Sequence, residues 1–245
     1  MSMPRRFVAC AVVLGAVAAA SSAFADDNST SAQRAVAARE LGRPYTVVEV
    51  GVGIFALPAA EICPTSLDQC STGEISLGLG IRNLYQFGPF AVGAGITWGT
   101  TLRNDDARGS EDLQREHARR YFQVDGLFRY SFFETPEADA WVGGTLGLVS
   151  VLDSWTVEAD RDPVLKVKLV GPEALTISTE GFSTSIATGG SWFFTDNLSV
   201  GGIFQYGNWI LPFDPHTTPL GDVASLSGRL DVFQLTLSLA YRIAI

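Results

Sequence analysis

The stretch FQLTLSLAYRIAI, residues 233–245, decides the fold of this chain. Its even positions are polar, small or cationic, whereas its odd positions are all apolar: Phe233, Leu235, Leu237, Leu239, Tyr241, Ile243 and Ile245. A period of two predicts a β-strand with one apolar face. The length of that face matches the roughly 9–11 residues with which a tilted strand crosses a bilayer. The stretch is therefore predicted to be the closing strand of a transmembrane β-barrel.

The first 25 residues have the features of an export signal. Arg5 and Arg6 precede an apolar run over residues 7–20, and the segment 21–25 ends in an Ala-x-Ala-like site. The apolar run is shorter than the roughly 20 residues that a membrane helix needs. We therefore expect a signal peptide over residues 1–25, a periplasmic N-terminal arm over 26–44 and the barrel over 45–245.

Composition restricts the partners that the chain can have. The formal net charge is −9 at pH 7, so the basic face that nucleic-acid binding requires is lacking and no nucleic-acid partner is expected. Cys63 and Cys70 lie in a polar segment, and in an oxidising compartment they are predicted to form a loop disulfide. Since no His or further Cys lies near them, we expect no metal site, and no cofactor is implied elsewhere.

Alternating segments predict seven further strands, which begin near residues 45, 75, 90, 122, 141, 176 and 198. Short turns are predicted at residues 88–89, 135–139 and 195–197, and long polar connections link the other strand pairs. Strictly alternating long and short connections predict an all-β, eight-stranded, antiparallel up-and-down barrel. The short turns are expected to be periplasmic and the long loops extracellular.

Aromatic residues gather next to the three predicted short turns. They are interpreted as a membrane-interface girdle formed by Tyr85, Phe87, Phe90, Phe132, Trp141, Trp192 and Phe194. A soluble sandwich or lipocalin-like barrel is the alternative fold. It would bury the bulky apolar face and expose a face of Gly, Ser, Thr and Gln, which would make a poor soluble exterior. The pattern therefore favours the membrane barrel.

With these features the chain resembles the small eight-stranded outer-membrane β-barrel proteins, a group that includes the OmpA transmembrane domain, OmpX, OmpW and the opacity-type surface antigens. The likeness is architectural and covers about residues 45–245. It implies a place in the outer membrane of a Gram-negative bacterium, in contact with outer-membrane lipid and lipopolysaccharide. It also implies that the barrel assembly machinery recognises residues 233–245, although family members usually end in Phe and this chain ends in Ile245.

Strand parity points five charged side chains into the lumen: Glu49, Arg82, Asp125, Arg129 and Arg242. Buried charges need partners, and the first and last strands must be neighbours in a closed barrel. We predict a Glu49–Arg242 ion pair across this seam, with the other three residues in the same network. The network is interpreted as structural, because an eight-stranded barrel is only just wide enough for side chains. The alternative is a gate that controls leakage of small ions.

Three functions remain open: a structural or surface-interaction role, a channel or transporter for small solutes or ions, and a lipid A-modifying enzyme. We expect no catalytic residues, because the two histidines, His117 and His216, lie in predicted outer loops without a recognisable motif. Transport of hydrophobic solutes would need an apolar lumen or a lateral opening, and the Gly-rich polar inner face argues against it. Recognition by the loops would use Trp155, Trp209, Phe213 and His216, but their spacing identifies no extracellular partner.

Overall fold

The computed structural model describes residues 44–62, 71–102, 106–108, 114–157, 174–217 and 224–245. Within them lie nine strands: β1 (Tyr45–Ile62), β2 (Ser71–Phe87), β3 (Phe90–Thr101), β4 (Asp106–Arg108), β5 (Gln114–Glu134), β6 (Ala138–Val157), β7 (Ala174–Phe193), β8 (Leu198–Ile210) and β9 (Arg229–Ala244). The three-residue β4 pairs with the outer part of β5, and the other eight strands form the barrel. In this part of the chain no helix has the length and apolar character needed to cross a membrane.

The barrel closes through antiparallel pairing of its first and last strands. In β1 and β9, Val50 lies opposite Leu239 and Val52 opposite Leu237. Every other barrel strand pairs with its neighbours along the chain, and β3 pairs directly with β5. The prediction that the last strand closes an eight-stranded antiparallel barrel is confirmed, and closure leaves no free sheet edge.

Large apolar side chains cover the outside of the barrel. On β9, Leu235 and Leu237 are 53% and 66% exposed, whereas the alternating Gln234, Thr236 and Ser238 are buried inside. The predicted faces of the other strands follow the same rule, for example Ile81 outside and Arg82 inside on β2. An apolar outer wall of this extent needs hydrocarbon around it, so the membrane barrel is correct and the soluble barrel is not.

Six of the seven predicted interface aromatics lie outside, next to the short turns. They are Tyr85, Phe87, Phe90, Phe132, Trp192 and Phe194. The exception is Trp141, which is 5% exposed and points into the lumen, so its assignment to the girdle was wrong. The reason is the phase of β6, in which the adjacent Val142 faces lipid and Trp141 must therefore face inward.

The outer half of the lumen contains a large apolar cluster. It consists of Phe55, Leu57, Tyr121, Val149, Val151, Trp209, Leu211, Leu226, Leu230 and Val232. The prediction of a polar inner face describes the middle of the barrel but does not include this cluster. Trp209 had been expected as an exposed loop residue, but β8 extends to Ile210 and its phase turns Trp209 inward.

Two strands extend into segments that were predicted to be loops. β5 already begins at Gln114, and β6 continues to Val157, so His117 and Trp155 are paired strand positions rather than loop residues. The side chains of these two residues lie outside the described part of the chain. The predicted signal peptide, the N-terminal arm and the Cys63–Cys70 disulfide also lie outside it and stay predictions.

Candidate functional site: the filled lumen

Glu49 lies at the centre of a charged clamp inside the barrel. Its carboxylate accepts hydrogen bonds from Arg82 Nη1 at 2.9 Å and from Arg129 Nη1 and Nη2 at 3.0 and 3.2 Å. Arg82 is the direct cross-strand neighbour of Glu49 in β2, whereas Arg129 belongs to β5 on another part of the wall. The clamp therefore crosses the lumen, and three of the five predicted network residues are brought together.

Trp141 covers one side of the clamp. The guanidinium carbon of Arg129 lies 4.0 Å from the centroid of the Trp141 ring. Both side chains are buried, which strengthens a cation–π interaction because little water competes for the cation. Trp141 thus restricts Arg129 to the orientation in which it reaches Glu49. Sequence reasoning had placed this ring at the membrane interface.

Asp125 lies in a hydrogen-bonded polar layer beside the clamp. Its carboxylate accepts hydrogen bonds from Gln123 Nε2 and Ser183 Oγ, both at 2.7 Å. In the same layer Thr145 and Ser185 are joined through their hydroxyl oxygens at 2.7 Å. Asp125 therefore points into the lumen as predicted, but its direct contacts are with neutral donors.

Arg242 binds a different partner from the one predicted. Its Nη2 donates to Asp139 Oδ2 at 3.1 Å, and its guanidinium carbon lies 3.7 Å from the centroid of the Phe193 ring. The predicted Glu49–Arg242 ion pair is not formed between these described residues. Across the seam Arg242 lies opposite Val47, whereas Glu49 lies opposite Ala240 and is already bound by two arginines.

A second charged cluster, missed by the sequence analysis, lies at the other end of the lumen. Arg119 forms ion pairs with Glu74 and with Asp153, the latter at 3.1 Å, and the Tyr121 hydroxyl donates to Glu74. Arg119 and Asp153 are 3% and 0% exposed. Neither is among the five lumen charges that strand parity predicts. Continuing the alternation of β5 outward from Phe122 would have placed Tyr121 and Arg119 inside.

Small cavities remain between these side chains. One of about 30 Å³ borders Glu49, Arg129, Asp139 and Arg242, and two others along the described lumen have volumes of about 10 Å³ each. Volumes of this size hold one or two water molecules. At these places the described lumen is filled with side chains.

Comparisons with known proteins agree with this architecture. No family model and no curated protein matches the chain. Among solved structures, Neisserial surface protein A is 11% identical, with a TM-score of 0.50 over 82% of this chain and 97% of that one. The chain has the fold of the eight-stranded outer-membrane β-barrels. In such barrels short turns face the periplasm, so the Arg242–Asp139 pair lies at the periplasmic end and the Arg119 cluster at the outer mouth.

Two further solved barrels show lower overall likeness. A major outer membrane protein from Thermus thermophilus is 16% identical, with a TM-score of 0.45 over 82% of this chain and 99% of that one. Ail of Yersinia pestis, in complex with the heparin analogue sucrose octasulfate, is 15% identical, with a TM-score of 0.40 over 81% and 99%. At these identities the relationship concerns the fold and not the function.

The outer-membrane barrel exposes a short stretch of chain after β8. Phe213 is 79% exposed, and His216 is exposed nearby. The backbone oxygen of His216 accepts a hydrogen bond from the backbone nitrogen of Ala224 at 2.8 Å, which ties this stretch to the segment that precedes β9. Phe213 and His216 thus have the exposed positions expected of loop contact residues.

Proposed function

We propose that this outer-membrane barrel is a closed, non-enzymatic scaffold with a structural or surface-interaction role, exerted through its outer loops. The observation that carries the proposal is the Glu49–Arg82–Arg129 clamp, which crosses the lumen and whose three residues are all buried. Removing one partner of such a buried charge group costs about 3–5 kcal/mol, so the clamp is expected to stay formed at rest.

The exposed stretch after β8 supports a role in surface interaction. Recognition residues are commonly found on loops held by a rigid scaffold. Phe213 offers a large apolar contact group there, and the neighbouring Asp214 and His216 offer polar ones.

Conductance measurements test the closed lumen. The full mature chain is refolded, inserted into a planar lipid bilayer and compared with Glu180→Gln, a change at an exposed position of the outer wall. Both proteins should give silent traces. Resolved current steps from the wild-type protein would contradict the proposal and favour the alternative role as a small-solute or ion channel.

Lipid analysis tests the non-enzymatic part of the proposal. Membranes that contain the protein are expected to yield lipid A of unchanged mass. A mass change that disappears in His216→Ala would instead support the second alternative, a lipid A-modifying enzyme. Phe213→Ser serves as a control, because it changes the same exposed stretch without removing an ionisable group.

A further inference from the structure

A short segment between the exposed stretch and β9 turns back into the outer mouth of the barrel. This plug segment comprises residues 224–228. Its Leu226 is 2% exposed and belongs to the apolar cluster of the outer lumen, together with Tyr121 and Trp209. The segment is therefore a lumen component, although it lies outside the barrel strands.

One serine attaches the plug segment to the charged cluster of the wall. The Ser225 hydroxyl donates to Asp153 Oδ1 at 2.6 Å and accepts a hydrogen bond from Arg119 Nε at 2.7 Å. The Ser225 backbone nitrogen donates to Asp153 Oδ2 at 3.1 Å. Hydrogen bonds to charged groups are about twice as strong as neutral ones, so Ser225 supplies the charged attachment of the segment to the wall.

The base of the plug segment is constrained by backbone hydrogen bonds. Gly228 N donates to Pro212 O at 3.0 Å, and Leu211 N donates to Gly228 O at 2.8 Å. Gly228 has a φ of +72°, a conformation that other residues adopt only with strain. Ala224 at the other end of the segment donates its backbone N–H to His216 O at 2.8 Å, so among the described residues the polar attachment to the wall strands runs through Ser225.

We propose that the plug segment is a latched closure of the outer mouth, held by Ser225 on Asp153 and Arg119, and that it opens while the barrel stays folded. Opening uncovers the apolar cluster of the outer lumen around Phe55, Tyr121 and Trp209. The Glu49–Arg82–Arg129 clamp lies farther toward the periplasm and makes none of the latch contacts, so it stays closed when the latch opens. The plug segment and the clamp thus close the lumen at two successive levels, first at the outer mouth and then nearer the periplasm.

Cysteine labelling tests the latch. Leu226→Cys is made in the full chain with Cys63 and Cys70 replaced by Ser, and the barrel is treated with a membrane-impermeant maleimide. Because Leu226 is buried, its cysteine should react far more slowly than a Phe213→Cys reference. Adding Ser225→Ala should raise the labelling rate about tenfold or more, since a hydrogen bond to a charged group is lost.

The matched control is Ser227→Ala, the same change two residues away at a position without the latch contacts. It should leave the labelling rate of Leu226→Cys unchanged. Equal labelling rates in the Ser225→Ala and Ser227→Ala backgrounds would overturn the proposal. It would also be overturned if, with Ser225 intact, Leu226→Cys were labelled as fast as Phe213→Cys. Asp153→Asn supplies a second test of the latch, and the gel mobility of unheated samples verifies that each barrel remains folded.

Conductance separates this proposal from the proposed function. The Ser225→Ala barrel should label rapidly and yet give a silent trace, because the clamp remains. Current in Ser225→Ala but not in the wild type would overturn the arrangement of two closures in series. Current in the wild type would contradict the proposal of a closed lumen. The labelling comparison would still show, independently of conductance, whether Ser225 holds the plug segment.

Discussion

Glu49 of β1 and Arg129 of β5 are joined across the lumen by two hydrogen bonds of 3.0 and 3.2 Å. Two other strands, β2 and β3, separate β1 from β5 in the barrel wall. The pair therefore spans the interior instead of following a strand ladder. The two buried arginines of the clamp are therefore held in the lumen by the charge of the Glu49 carboxylate, and substitution of Glu49 tests this.

Neutralising the clamp carboxylate should destabilise the barrel. Glu49→Gln leaves Arg82 and Arg129 buried without their anion, and we expect the free energy of unfolding to fall by about 3 kcal/mol or more. Urea unfolding of the refolded barrel in lipid vesicles measures the change. Glu180→Gln, on the exposed outer wall, should change the free energy by less than about 0.5 kcal/mol. Equal stability of the two variants would contradict the role of the clamp.

Arg242 should be coupled more strongly with Asp139 than with Glu49 of the clamp. A double-mutant cycle of Arg242→Met and Asp139→Asn should give a coupling energy of about 1 kcal/mol or more, as for other residues in contact. The corresponding cycle of Arg242→Met and Glu49→Gln should give a clearly smaller coupling energy, because these two residues border one cavity without a direct contact. Strong coupling in the second cycle would restore the seam pair that the sequence predicted.

Tryptophan quenching should distinguish the two faces of the wall. In single-tryptophan variants, lipids brominated on their acyl chains should quench Trp98 and Trp192, which are 46% and 55% exposed on the outside. They should leave Trp141 and Trp209 largely unquenched, because the barrel wall separates these rings from the acyl chains. Strong quenching of Trp141 would return this residue to the interface girdle.

Glycine substitutions should differ according to how closely the strands approach one another. A Cβ at Gly143 would lie 2.1 Å from the backbone oxygen of Phe128, whereas a Cβ at Gly202 would have no heavy atom within 4 Å. Gly143→Ala should therefore destabilise the barrel by about 1–3 kcal/mol, the usual cost of overpacking. Gly202→Ala should be neutral or slightly stabilising, because alanine loses less backbone entropy on folding. Equal unfolding midpoints for the two variants would contradict the close approach at Gly143.

The faces of the strands could be predicted because side-chain orientation alternates along each strand by itself. Ile81 outside and Arg82 inside follow from parity alone, and so does the inward direction of Glu49. The misplacement of Trp141 and Trp209 has one common cause. Aromatic residues were assigned by their nearness to turns or polar stretches, although the parity of the adjacent Val142 and Ile210 already places both rings inside.

The sequence by itself determined that the chain is a closed antiparallel membrane barrel with a charged interior, because period-two patterning and connection lengths are local properties. Which charges meet was decided only by the tertiary structure. The partner of Glu49 depends on the register between strands and on the distance across the lumen, and neither is encoded in the alternation of one strand. The same holds for Ser225, whose contact with Asp153 joins positions 72 residues apart through the packing of Leu226 in the outer mouth.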